Sequence, residues 1–193
     1  MEYERCGPDP SVDGADRLKE LPVEWAQAIA ARLSEYQVKA VYYLPVPAVA
    51  GTADAIAGVY ALRPDVLPGF NGAEGVSWNG LTAEEAAVLD SPFKQGESNT
   101  VNIKFPFVAD INMLRPKIAI SLDSVTEKHE KETAVIVSHR ALTVIMILHL
   151  LHMGNQHYCQ IAQNSGAVNL FEIRSGTPSA IYINDTCHLE GLS

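Results

Sequence analysis

Cysteine is scarce: Cys6, Cys159 and Cys187 are the only three in 193 residues, and none falls in a C-x-x-C spacing. That argues against a disulfide framework or a cysteine-based zinc site. Positive charge is scarce too. The 14 Lys and Arg stand against 23 Asp and Glu, a formal net charge of -9. Such a surface repels phosphate backbones and argues against a general nucleic-acid partner, while a locally positive pocket still suits a small anion. Long apolar runs are missing. The most apolar stretch, Ala141 to Met153, is interrupted by His149 and His152 and falls short of the ~20 residues a membrane span needs. The start, Met1-Glu2-Tyr3-Glu4-Arg5, is charged and has no apolar signal region, so a cytoplasmic protein is expected. Histidine is absent from the whole first half: all six lie at His129 or later.

What is present is an ordinary core-forming composition, 47% apolar and 19% charged, which fits one domain over residues 1–193. Trp25, Ile29, Leu33 and Tyr36 recur at helical spacing behind Pro22, predicting a helix over Val23–Tyr36. Lys39–Leu44 is β-branched and aromatic and reads as a strand. Ala50–Ala61 reads as a helix, and Thr82-Ala-Glu-Glu as an N-cap with a first turn. Asp65–Trp78 and Asp90–Thr100 read as loops. Phe105–Glu130 is helical in pattern, with an interruption expected at Pro116. Thr133–Val137 is a buried strand leading through Ser138-His139-Arg140 into an apolar helix from Ala141. Val168–Ile173 and Ala180–Ile183 are two further strands around the turn Ser175-Gly176-Thr177-Pro178.

Alternating strands and helices give an α/β domain with a mostly parallel central sheet. Ligands bind such sheets at the carboxyl ends of strands. Two places qualify: the end of Lys39–Leu44, where Tyr42 and Tyr43 alternate across the sheet, and Ser138-His139-Arg140. The second is the better candidate, because a histidine between a buried strand and a helix projects into the crevice. Tyr43 is taken as a crevice-lining residue. His149 and His152 are three apart on one helix, a spacing that offers two metal ligands. No carboxylate or cysteine pair completes the set, so core or interface histidines are the better reading, and neither metal nor cofactor is expected.

The segment Ala134-Val-Ile-Val-Ser-His139-Arg140, followed by an apolar helix, is similar to the second-histidine motif of the histidine phosphatase superfamily. Ile161 to Glu172 and Asn184-Asp-Thr-Cys-His-Leu189 look like the closing strands of its phosphoglycerate-mutase-like members. Trp78-Asn-Gly-Leu-Thr82, Gly96-Glu97-Ser98, Val41 to Pro45 with Thr52-Ala53, and Leu18 to Ala26 resemble further family segments. The resemblance implies a three-layer sandwich with a mostly parallel central sheet. It also implies self-association, a homodimer or higher oligomer. His188 matches a family feature and is read as structural.

The departures bear on chemistry. The family's R-H-G motif, whose histidine takes the phosphoryl group, is matched here by Arg5-Cys6-Gly7. The family's second arginine is matched by Ala48, and no arginine lies between Arg32 and Arg63. The family's acid falls on Gly72, with Glu74 close by as a substitute if the loop is remodelled. Phosphoryl transfer needs a nucleophile and cations on the equatorial oxygens. The inherited pocket would keep Arg5 and His139 only. Cys6 is open to two readings: a thiolate nucleophile activated by Arg5 and His139, or a small residue filling the place of a histidine. Arg5 suits a carboxylate, phosphate or sulfate, or is a surface charge near the terminus. Arg140 stands where many members have glycine.

Three functions follow as expectations. The first is a repurposed, biosynthetic small-molecule enzyme. It binds a small polar or anionic metabolite through Arg5, Ser138, Arg140, Glu74 and Tyr43, with His139 as the proton-transfer group. The second is a non-catalytic binding module or subunit on the same fold. The third is a phosphatase that uses Cys6.

Overall fold

The computed structural model describes residues 21–45, 47–70 and 111–192. Arg5, Cys6, Glu74, the Trp78–Thr82 and Gly96–Ser98 segments and the helix start at Thr82 lie outside the described residues.

Helix α1 spans Val23–Leu33, with Pro22 as N-cap, and buries Ala26, Ile29, Ala30 and Leu33. Its spacing is the one the apolar pattern predicts, but it stops before Tyr36 because Ser34 caps it and Val38 opens a strand. Strand β1, Val38–Tyr43, is flanked in parallel by β2, Asp65–Val66, and β3, Thr133–Val137. The two-residue β2 falls where a loop was expected. Helix α2 runs Pro47–Val59, three residues earlier than its alanine pattern suggested, because Pro47 supplies a helix-ready φ at the first position. It ends where Ala61 takes a φ of 54° and Leu62 N–H returns to the Ala57 carbonyl.

Helix α3, Ile111–Lys128, passes through Pro116 instead of breaking there. Its buried row of Ile111, Leu114, Ile118, Leu122 and Val125 anchors the helix, offsetting the hydrogen bond that Pro116 removes. Helix α4, Arg140–Leu150, is buried through Val144–Leu148. Arg115 of α3 ties down its end by donating to the Leu148 carbonyl and, at 2.7 Å, to Asn155 Oδ1.

Val41 and Tyr42 point to opposite faces of the sheet, as strand pleating requires. Val41 packs with Ile29, Leu33, Ala53 and Ile56 of α1 and α2. Tyr42 packs with Ile118, Leu122, Leu142 and Ile145 of α3 and α4. The result is helices on both faces of a parallel sheet, the three-layer α/β architecture. Leu142 is 0% exposed and stands three residues after His139. Leu142→Ala is expected to cost about 2–5 kcal/mol in urea unfolding, because it opens a cavity under the start of α4.

The chain closes with an antiparallel hairpin, β4 Val168–Arg174 and β5 Thr177–Asp185. Ser175 and Gly176 both have positive φ, 51° and 74°. That is the signature of a two-residue type I′ turn, so Thr177 and Pro178, expected in the turn, already belong to β5.

Arg32 fastens this hairpin to α1. Its Nε and a terminal nitrogen donate to Asp185 Oδ2 at 3.4 and 3.3 Å, and its guanidinium lies 5.3 Å from the Tyr182 ring centroid. Burial, and secondarily the hydroxyl contact with Tyr36, push the Tyr182 phenol up to about 12. The Cys187 backbone N–H, then its thiol and Arg32, hold the Asp185 carboxyl below its ordinary range. A depressed carboxylate stabilises the fold above its unfolded value of about 3.9, and the contribution is lost as pH falls through the lower folded value. Asp185→Asn is therefore expected to lower the melting temperature at pH 7 and to flatten the acid decline below about pH 4, read by thermal melts across pH.

Candidate functional site

The last residue of β1, Tyr43, pairs in register with Val137, the last of β3, and Leu44 N–H donates to the Val137 carbonyl at 3.1 Å. Both strands thus end at one level, and Ser138-His139 fills the gap between β3 and α4. Among the described residues, a concave surface runs alongside β3 toward β4. Ser138, His139, Arg140 and Thr143 line it at the carboxyl end of β3. Gln163 and Asn169 also line it.

The backbone at His139 is held from several sides. Its carbonyl accepts from Leu142 N–H at 2.9 Å, Thr143 N–H at 3.0 Å, Thr143 Oγ1 at 3.2 Å and Ser138 Oγ at 3.3 Å. On the far wall, Gln163 and Asn169 exchange paired amide bonds, both 2.9 Å, which join the loop before β4 to the hairpin.

Ser138, His139 and Arg140 are brought together at one cleft wall. Tyr43 reaches the same sheet end, but its side chain packs against the apolar clusters on both faces. The expected pairing of His149 and His152 on one helix is corrected, because α4 ends at Leu150 and His152 takes a φ of 54°. His149 Nε2 instead lies 3.9 Å from Asp123 Oδ1. Among the described residues no group of three or more His, Cys, Asp or Glu is placed to hold a metal ion. His188 Nε2–H donates to the Gly166 carbonyl at 3.0 Å, in keeping with a structural role. No described helix is long and apolar enough to cross a membrane.

Two features were missed in the sequence. One is Thr143, four residues past His139, whose spacing at a helix start is a usable signal. The other is a polar chain across the sheet. Lys128 Nζ donates to the Tyr42 hydroxyl at 2.9 Å, which lies 2.9 Å from His129 Nε2, and His129 Nδ1–H donates to Glu132 Oε2 at 2.9 Å. In the neutral ring, Nε2 then accepts from Tyr42. The contact with Tyr42 raises the Lys128 ammonium above its ordinary value.

A parallel sheet with helices on both faces, and a histidine at the end of one of its strands ahead of a buried helix, defines the class as α/β. The chain belongs to the histidine phosphatase superfamily (branch 1), whose sequence profile matches residues 14–186. That stretch contains Ser138-His139-Arg140 and starts after Arg5-Cys6-Gly7. Comparison with curated proteins gives no significant match. Solved structures agree on the fold. A phosphoserine phosphatase from Entamoeba histolytica, in complex with 3-phosphoglyceric acid, is 25% identical with a TM-score of 0.64, covering 88% of this chain and 86% of that one. A mycobacterial glucosyl-3-phosphoglycerate phosphatase is 17% identical with a TM-score of 0.58, covering 95% and 96%. The alpha-ribazole phosphatase from Shigella flexneri is 13% identical with a TM-score of 0.60, covering 95% and 88%.

Proposed function

We propose that the chain binds a small anionic metabolite, phosphate- or carboxylate-bearing, at the Ser138-His139-Arg140 wall, and acts on it by acid/base chemistry instead of histidine phosphotransfer. The observation that carries this is the placement of His139: it lines the cleft at the carboxyl end of β3, with its backbone held by four donors. The family link supports an anionic ligand, since similar proteins are phosphatases solved with phosphate compounds. The absence of any histidine before His129 supports the loss of phosphotransfer. In this reading His139 moves the proton, Arg140 neutralises charge at the cleft mouth, and Arg5 adds a second cation. Biosynthetic use, a cytoplasmic setting and homodimer formation belong to the same proposal.

The test is a thermal-shift panel of inorganic phosphate, sulfate, phosphoserine, 3-phosphoglycerate and carboxylic acids. A ligand at a hundred times its dissociation constant stabilises the fold by about 2.7 kcal/mol. A clear shift with one anion class is expected. A flat panel from a folded protein would favour the non-catalytic partner protein.

A further inference from the structure

We infer that Thr143 is a positioning residue for His139, an assignment that rests on the ligand site proposed above. His139 is the residue just before α4, so its own backbone, not the helix, sets where the imidazole points. Its carbonyl accepts the two N–H bonds that open the helix, from Leu142 and Thr143, at 2.9 and 3.0 Å. Those alone satisfy both lone pairs. Two hydroxyls then add to the same oxygen: Thr143 Oγ1 at 3.2 Å and Ser138 Oγ at 3.3 Å. This exceeds what a helix start requires.

Inside a helix, a threonine bonded back to the carbonyl four residues earlier brings little stability and tends to bend the helix. Here that carbonyl belongs to the residue that carries the proposed proton-transfer group. Thr143 also lines the same cleft as His139. Its branched Cβ restricts χ1, and the Thr143 hydroxyl bonds the carbonyl of the residue that carries the ring, which ties the backbone there to the first turn of α4. Supporting shells of this kind decide whether a site is held tightly enough to work.

The experiment is calorimetric titration of the full chain with inorganic phosphate, comparing wild type, Thr143→Val, Thr143→Ser and His139→Ala. Thr143→Val keeps the shape and removes the hydroxyl. It is expected to weaken phosphate binding roughly tenfold, the lower end of what losing the outer partner of a metal-bound histidine costs. Its melting temperature stays at or above the wild-type value, and Thr143→Ser restores the affinity. A purely structural threonine would move the melting temperature and leave affinity alone. Wild-type affinity in Thr143→Val, with binding lost in His139→Ala, overturns the assignment and leaves the site standing. Wild-type affinity in His139→Ala, or no binding by wild type of inorganic phosphate, sulfate or a carboxylic acid titrated in the same way, overturns the site and this role with it. Should Thr143→Val fail to fold, Thr143→Ala takes its place, and unchanged affinity there overturns the assignment equally.

Discussion

Replacing His139 with alanine is expected to cut the ligand-dependent rise in melting temperature to about half or less while leaving the unliganded protein folded. The side chain sits at the rim of the sheet, beyond the last β3 pair and before the first turn of α4, so its removal opens no core cavity. The apolar anchors of that junction, Leu142 and Ile145, are both 0% exposed and stay in place. What is lost is a charge-assisted bond to the anion, which contributes about 1.5–3 kcal/mol in such settings, roughly a ten- to hundredfold loss of affinity. Of the stabilisation by about 2.7 kcal/mol at a hundredfold ligand excess, about 1.4 kcal/mol remains after a tenfold loss and about 0.4 kcal/mol after a hundredfold loss. A shift of undiminished size in His139→Ala would mean that the anion binds elsewhere.

The second large effect is a reaction that does not occur. On the proposed reading, incubation with phosphoserine or 3-phosphoglycerate leaves no acid-labile phosphohistidine, and phosphate release stays at background. On that reading Cys6 stands where the family has its phosphoryl acceptor, and Ala48 where it has its second arginine. One oxyanion donor alone contributes about 2.7–4 kcal/mol to a transition state. Loss of a nucleophile can cost on the order of 10⁶ in kcat where the machinery acts as a unit. Were both lost, as that reading holds, no measurable histidine chemistry is expected. Phosphate release that vanishes in Cys6→Ser would instead support a thiol nucleophile.

The centre of the fold was legible because its signals are local. The β-branched run Thr133–Val137, followed by Ser138-His139-Arg140 and an apolar helix, carries the strand, the helix and the candidate site in one stretch. Helices α1 and α2 followed from apolar spacing, with errors only at the ends, where caps and a positive φ at Ala61 decide. Pro116 misled because tertiary burial of one face of α3 outweighs a single missing hydrogen bond. The β5 start was misplaced because Thr177-Pro178 looks like a turn, whereas the type I′ geometry needs only Ser175 and Gly176.

The polar chain through Tyr42 was out of reach for a different reason. Its members, Tyr42 and His129, are 87 residues apart, and only the strand order and the end of α3 bring them within 2.9 Å. No spacing rule encodes that meeting. The wall at His139 was partly legible: Ser138, His139 and Arg140 were read together, and Thr143 was passed over because its hydroxyl acts on a backbone atom. Tyr43 was placed at the right end of the right strand, and alternation alone did not reveal that its side chain packs inward.

The account stands most directly on where an anion meets the protein. Histidine ring resonances, assigned by mutating each of the six histidines in turn, would be followed during titration with inorganic phosphate and then phosphoserine. The account predicts that the His139 ring signals move along the binding curve, while those of His129, held between Tyr42 and Glu132, stay still. Saturable binding that leaves the His139 ring unchanged would contradict it.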